Sequence, residues 1–360
     1  MTAGIASRRA LAARALPRMY LPEQRLFAFT EKPQADGLRR YGVSARYSAI
    51  ALIGLEADRR CGGAAILEDA DVSRVLDRLL DEVPAAPNLG DAALVAWAAA
   101  AHRRTDRAAA WDRVIAFQPD RATQPVVDLA WTLAALCLDD DAGAAALRDQ
   151  VADRLLYAFD ERSSLFPHVV GGPRSLRSHI SCFADAVYPI HALALYTALT
   201  GNRRALTVAS RCAAHICELQ GAAGQWWWHY DCRTGRVVER YPVYAIHQDA
   251  MAPMALFALD VAGGPAFDRA VERGLAWLQS APELKGRSLI DEEAGTIWRK
   301  VARREPRKAA RTLQAAATVV HPALRVPALD AIFPPAAIDY EDRPYHWGWL
   351  LYAWAGRYRS

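Results

Sequence analysis

Lysine is scarce in this chain. Only Lys32, Lys285, Lys300 and Lys308 supply it, and the other basic residues are arginine. No Cys-x-x-Cys pair occurs; the six cysteines are scattered at 61, 137, 182, 212, 217 and 232. Isolated thiols in apolar stretches of a chain this long read as buried and reduced, which excludes a disulfide framework. Cys212, His215 and Cys217 lie close together, but their spacing does not suit structural zinc. Neither a metal nor another cofactor is expected. No run approaches the ~18 uninterrupted apolar residues of a membrane-spanning helix. Arg8, Arg9 and Arg14 interrupt the start of the chain, so it lacks the apolar core of a secretory signal. These absences point to a cytoplasmic protein. A net charge of +4 makes no electrostatic case for nucleic acid.

What is present is a helical, globular composition, 52% hydrophobic and 23% charged. Apolar residues recur at three and four along most of the chain. Six segments are apolar nearly all round, starting near Tyr41, Asn88, Gln124, Ile180, Ile246 and Pro344. Helices of that kind are buried on all sides. Between them lie amphipathic segments from Asp69, Arg107, Ala142, Asn202 and Pro265, each with one Arg/Asp/Glu face. Strict alternation of buried and one-sided helices predicts an all-α fold, an (α/α)6 toroid of inner helices sheathed by outer ones. Residues 41–360 read as one such domain. A helix near Ala6–Leu16, within an N-terminal segment of residues 1–40, is placed to close the ring.

Inner-to-outer connections are short. Three outer-to-inner connections are long, at 160–177, 221–245 and 281–343, and all three belong at the end where inner helices start. Long loops on a rigid scaffold commonly carry function. The densest of them runs GQWWWHYDCRTGRVVERYPVYAIHQD from Gly224. Asp231 to Gly235 reads as the turn of a β-hairpin inserted near 224–245. Three consecutive tryptophans cannot share one face of a strand, so one faces solvent, a ligand or a covering loop.

Acids, histidines and tyrosines converge from three adjacent inner-helix starts, as general acid–base chemistry requires. Asp249, Asp185 and Glu239 are the candidate acids and bases, with His247, His179 and Tyr188 assisting. Asp91 and Asp128 read instead as carboxylates favoured by a helix N-terminus. Trp227, Trp228 and Tyr244 are placed to stack on sugar rings. His229, Tyr230, Gln248, Glu341, His346 and Trp347 complete the expected binding set. Residues 299–311 carry seven cations against one carboxylate, Glu305, so the rest of the chain is net −2. At helical spacing 299/303/307/311 form a stripe. It is either a solvated face or, through Arg303 and Arg307, a clamp for an anionic glycan.

Two resemblances follow. RCAAHICELQGAAGQW from Arg211 resembles the QW repeat of triterpene cyclases at Arg211, Ile216, Gln220, Gly224 and Trp226, while Cys212 and His215 depart from it. RGLAWL from Arg273 is similar to half of another. The Asp-x-Asp-Asp acid motif of those enzymes is absent, as is Asp-Asp-x-x-Asp; His247-Gln248-Asp249 offers one acid in a comparable place. The alternation of helices and the aromatic, acid- and His-lined mouth also resemble the six-hairpin glycosidases, sugar epimerases and polysaccharide lyases. That likeness implies a carbohydrate-active enzyme acting on an oligosaccharide or other small molecule. A terpenoid-cyclase-like enzyme with Asp249 as acid and a non-catalytic glycan- or protein-binding toroid are the alternatives.

Overall fold

A computed structural model describes residues 2–139, 144–173, 177–305, 309–321, 324, 326 and 329–357. Its helices are α1 (Thr2–Met19), α2 (Ala45–Arg60), α3 (Asp69–Glu82), α4 (Leu89–Ala101) and α5 (Ala108–Ala116). They continue as α6 (Val126–Leu138), α7 (Ala144–Ala158), α8 (Phe183–Thr200), α9 (Arg203–Glu218) and α10 (Ala252–Val261). The last are α11 (Asp268–Gln279), α12 (Ala309–Val320), α13 (Leu329–Ile332) and α14 (Pro344–Trp354).

The chain is mostly helical, as the periodicity predicts. The segments read as apolar all round are the buried helices: α4 buries Leu89 and Gly90 and every residue from Ala92 to Ala99. The one-sided segments bury a single stripe, as in α3 with Val75, Leu76, Leu79 and Leu80. Polar side chains start some of these helices. Ser44 Oγ accepts the Tyr47 N–H, and Asn88 Oδ1 accepts the Asp91 N–H.

The buried helices pack in chain order, α2 on α4, α4 on α6, α6 on α8, α8 on α10, α10 on α14 and α14 on α2. The last contact depends on two glycines. A Cβ on Gly54 would lie 2.0 Å from the Gly348 carbonyl oxygen, and one on Gly348 would lie 2.5 Å from that of Ile50. α1 packs on α14. Deep among these helices Trp97 stacks on His191 and tilts against Trp349, and His191 Nε2 lies 3.1 Å from the Tyr352 hydroxyl. This aromatic plug fills the middle of the bundle on one side. Among the described residues no helix is long and apolar enough to cross a membrane.

Short strands feed the starts of the buried helices. β1 (Tyr20–Leu21), β2 (Leu26–Gln34) and β3 (Gly37–Val43) form a sheet ahead of α2. β4 (Gln124–Pro125) pairs with β5 (Val169–Val170) ahead of α6. β6 (Ile180–Cys182), β7 (His229–Asp231) and β8 (Arg236–Glu239) form the sheet ahead of α8. β9 (Val243–Tyr244) precedes a π-helical turn, His247–Met251, that opens α10. β10 (Ile290–Asp291) and β11 (Thr296–Ile297) pair with each other, and β12 (Lys300–Ala302) lies between β9 and β13 (Ala337–Asp339). The expected Asp231–Gly235 turn joins β7 to β8, and the Gly235 N–H returns to the Asp231 carbonyl at 2.8 Å.

Two expectations are corrected. Tyr41 to Val43 are strand, not helix, because β2 and β3 pair from Ala28↔Val43 to Gln34↔Gly37. The basic stripe is not one helical face. Lys300 to Ala302 are a strand, and Lys300 faces Asp339 across the β12–β13 ladder. Arg307 lies outside the described residues.

Candidate active site

The helix starts enclose a cavity of about 220 Å³. α2 contributes Arg46 and Tyr47, α6 Val127 and Trp131, α8 Ala184 and Tyr188, and α14 Tyr345. The π-turn contributes His247 and Met251, and the connecting segments Trp228, Tyr244 and Arg299. Trp131 and Trp349 both pack on Tyr188, so the aromatic plug underlies the cavity.

His247 is the best-defined group on the wall. Its ring lies parallel to Trp228 at 5.6 Å and packs against Phe183 and Tyr244 at 4.5 and 4.9 Å. Burial lowers its pKa to about 3, against a bond to the Trp226 backbone. It is therefore neutral at neutral pH. Its Nδ1 is buried with no partner. π-Turns often occur at functional sites, and neighbouring side chains on this one point in different directions. His247 meets the cavity, Gln248 bonds back to the Tyr244 carbonyl, and Asp249 turns into the protein.

Among the described residues, four buried polar atoms without a partner belong to this wall: His247 Nδ1, Trp228 Nε1, Trp131 Nε1 and Arg299 Nε. Buried polar groups are normally satisfied, and these four are exceptions around one cavity. Burial raises the pKa of Tyr188 and Tyr345, so both phenols stay protonated.

The charges divide around the mouth. Arg46 lies over Trp131 and binds Asp91 through Nε at 2.6 Å. Asp128, one residue beyond Val127, is raised in pKa by burial, against the pull of Arg46. Asp185 caps the start of α8, accepting the Cys182 N–H at 2.7 Å, and lies 3.1 Å from His168 Nδ1. Across the mouth, Arg299 and Lys300 lie over the Tyr244 ring at 5.4 and 5.3 Å. Burial works against ionisation of Glu341, but Lys32, Arg343 and Arg299 overcome it and hold that carboxyl at about 2.

Of the residues expected from sequence, Tyr188, Trp228, Tyr244 and His247 meet on one wall. Asp185 and Glu341 stand at the rim beside wall residues. The others lie elsewhere. Asp249 is fully buried, with Oδ1 2.8 Å from His346 Nε2 and its carbonyl bonded by Trp354. Glu239 is bonded by Arg303 at 2.9 Å, and both side chains are buried. Trp227 packs on Tyr241 beneath Arg240. His179 reaches Thr318 on α12. Tyr230 is buried in the core, His229 lies in β7, and Trp347 bonds Asp342. Sequence reasoning missed Arg46, Trp131, Arg299 as a wall residue, and Tyr345. Arg46 did leave a signal, since a cation in the first turn of a helix opposes the dipole.

No protein-family model matches the chain. No curated protein matches it either. Solved structures do. A cellobiose 2-epimerase from Bacillus thermoamylovorans is 13% identical with a TM-score of 0.67, over 99% of this chain and 100% of that one. An unsaturated glucuronyl hydrolase from Bacillus sp. is 14% identical with a TM-score of 0.60, over 99% and 96%. An α-1,6-mannanase from Salegentibacter sp. is 11% identical with a TM-score of 0.57, over 99% and 98%. All three are α/α toroids, and the likeness is one of fold. None is a terpenoid cyclase, and that reading finds no support. The residues resembling the cyclase repeat serve architecture here. Gln220 Nε2 donates to the carbonyls of Gly224 and Ala270, tying the end of α9 to α11.

Proposed function

We propose that this chain is a carbohydrate-active enzyme of the proton-transfer kind, an epimerase or lyase, acting on a sugar that bears a carboxylate. The single observation that carries the reading is a His247 kept neutral by burial among the residues that line the cavity. A neutral imidazole nitrogen can take a proton from a carbon next to a carbonyl or carboxylate. Arg299, with a free Nε, and Arg46 would stabilise the negative charge that develops on that group's oxygen. Tyr188 or Tyr345, kept protonated by burial, would return a proton to the carbon or to a leaving oxygen. A base of pKa about 3 is weak on its own. A bound carboxylate strengthens it, because a nearby negative charge favours the imidazolium. Trp131 and Trp228 would face sugar C–H groups and donate their indole N–H groups to hydroxyls.

The fold supports the same reading. We take the bundle as an (α/α)6 toroid with α1 as its sixth outer helix, in one domain. The carbohydrate chemistry named for the structural neighbours fits that architecture. The cavity is below the about 300–1,000 Å³ of ordinary ligand pockets, so it suits one sugar unit with any further units at the mouth. A glycosidase would need two carboxyl groups across the scissile bond. Asp249 and Glu239 are engaged elsewhere. Asp128, with its raised pKa, and Asp185 at the rim keep hydrolysis as the second reading.

The test is incubation with uronate-containing and neutral gluco- and manno-oligosaccharides in deuterium oxide, followed by NMR. Proton transfer places deuterium on a sugar carbon or yields an unsaturated uronate, and His247→Gln abolishes both. New reducing ends without carbon-bound deuterium would establish hydrolysis instead.

A further inference from the structure

A second cluster lies at the mouth, outside the chemistry assigned to His247. His168 comes just before β5, Cys182 ends β6, and Asp185 stands in the first turn of α8. One donor atom from each lies within 4.8 Å of the other two. We propose that His168, Cys182 and Asp185 bind a divalent transition metal of the zinc type. His168 is separated from Cys182 and Asp185 by a loop, and only the pairing of β5 and β6 with their partners brings the three together.

The donor set fits. Imidazole, thiolate and carboxylate together suit zinc, and three protein ligands leave a fourth position open, as in catalytic rather than structural sites. The backbone fixes each donor. The Val126 N–H bonds the His168 carbonyl at 3.0 Å, and Cys182 pairs with His229 in the β6–β7 ladder. Within the cluster, Asp185 Oδ2 accepts the Cys182 N–H at 2.7 Å, which orients the carboxylate and leaves Oδ1 for the metal. His168 Nδ1 is equidistant, at 3.1 Å, from both carboxylate oxygens. That spacing also suits two ligands of one small ion.

The surroundings favour a cation. Three carboxylates, Asp91, Asp128 and Asp185, crowd this side of the mouth. Two guanidiniums answer them, Arg46 and, near His168, Arg177. Arg46 is already paired with Asp91. A bound dication deprotonates a ligating thiol, so metal uptake releases protons and strengthens as pH rises. Ala184, beside Asp185, lines the central cavity, so the metal would stand at its rim.

The experiment is a cobalt(II) titration of the chelator-stripped full chain, with zinc competition and metal analysis after dialysis. The expected result is one equivalent bound, with a thiolate-to-cobalt charge-transfer band. Cys182→Ser removes the band, and His168→Ala weakens binding at least tenfold. His168 is more than half exposed, so its variant should fold even if the Cys182 variant does not. Cys217→Ser leaves the band unchanged. Failure to bind one equivalent, or a band that survives both His168→Ala and Cys182→Ser, overturns the proposal. The function of His247 stands or falls separately.

Discussion

The two sides of the mouth differ in sign and in how they hold their charges. On the side of α4, α6 and α8, Asp91, Asp128 and Asp185 sit in first turns of helices. There backbone N–H groups and the helix dipole favour anions without needing a partner cation. On the side of β9, β12 and α14, Lys32, Arg299, Lys300 and Arg343 surround Asp339 and Glu341. Those cations come from strands and loops and are held by ion pairs and by aromatic faces such as the Tyr244 ring. Helix starts can thus keep surplus negative charge, whereas the strands keep a positive surplus that is nearly paired off. One side suits a metal ion and the other a substrate carboxylate. His247 stands between them, at the start of α10, which packs between α8 and α14.

The largest effect should come from that midpoint. His247→Gln should lower kcat by about 10²–10⁴-fold, the usual contribution of a general base, with circular dichroism unchanged. If turnover survives, the chemistry belongs to one side alone and the midpoint assignment fails.

Next is a pair beyond the basic side. Arg303 and Glu239 are both almost fully buried, and the arginine also bonds Asp330 and the Phe333 carbonyl. Arg303→Ala leaves Glu239 buried without its partner and should destabilise the fold by about 3–5 kcal/mol in urea. Activity per folded molecule should stay the same. A KM effect on folded protein would return Arg303 to the substrate site. Smaller again is Arg299→Met. It should raise KM for a uronate sugar about tenfold, near 1.4 kcal/mol, and leave a neutral sugar unaffected. Equal effects on both sugars would mean that the positive side does not read charge.

The sequence revealed the helices and half of the site, for identifiable reasons. Alternation was legible because α4 or α8 is apolar on every face while α3 or α9 is not. Tyr188, Trp228, Tyr244 and His247 were legible because polar and aromatic groups stood out at helix starts beside long loops. Arg299 was noticed, but as part of a helix that is in fact strand, since its partners Asp339 and Glu341 lie some forty residues away. Asp249 was misplaced because a residue two positions on from His247 falls on roughly the opposite face of a helix, so it turns into the protein while His247 meets the cavity. The metal-type cluster was hidden because a loop separates His168 from Cys182 and Asp185 and nothing in residue type says how that loop folds, and the β2–β3 sheet by the charges of an exposed edge strand.

The smallest effect concerns the outermost pair on the basic side. Lys32 Nζ lies 2.9 Å from Glu341 Oε1, and the lysine is 43% exposed. Solvent screening limits such a pair to at most about 1 kcal/mol, so Lys32→Met should cost a few tenths of a kcal/mol near neutral pH. Its pH dependence carries the information. Glu341 is held at about 2 in the folded chain, below its ordinary value of 4.5. The unfolded chain therefore takes up the proton first as pH falls. The stabilisation is complete above pH 4.5 and fades as pH drops toward 2. The wild-type advantage over Lys32→Met should shrink across that window, measured by urea unfolding at each pH. Its neighbour Asp342 has the opposite sign: burial raises it to about 6, so its cost grows as pH climbs from 3.8 to 6. An advantage already lost as pH falls through about 6 would mean that Lys32 acts on Asp342 rather than Glu341. The positive side would then be organised around its buried acid instead of its paired one.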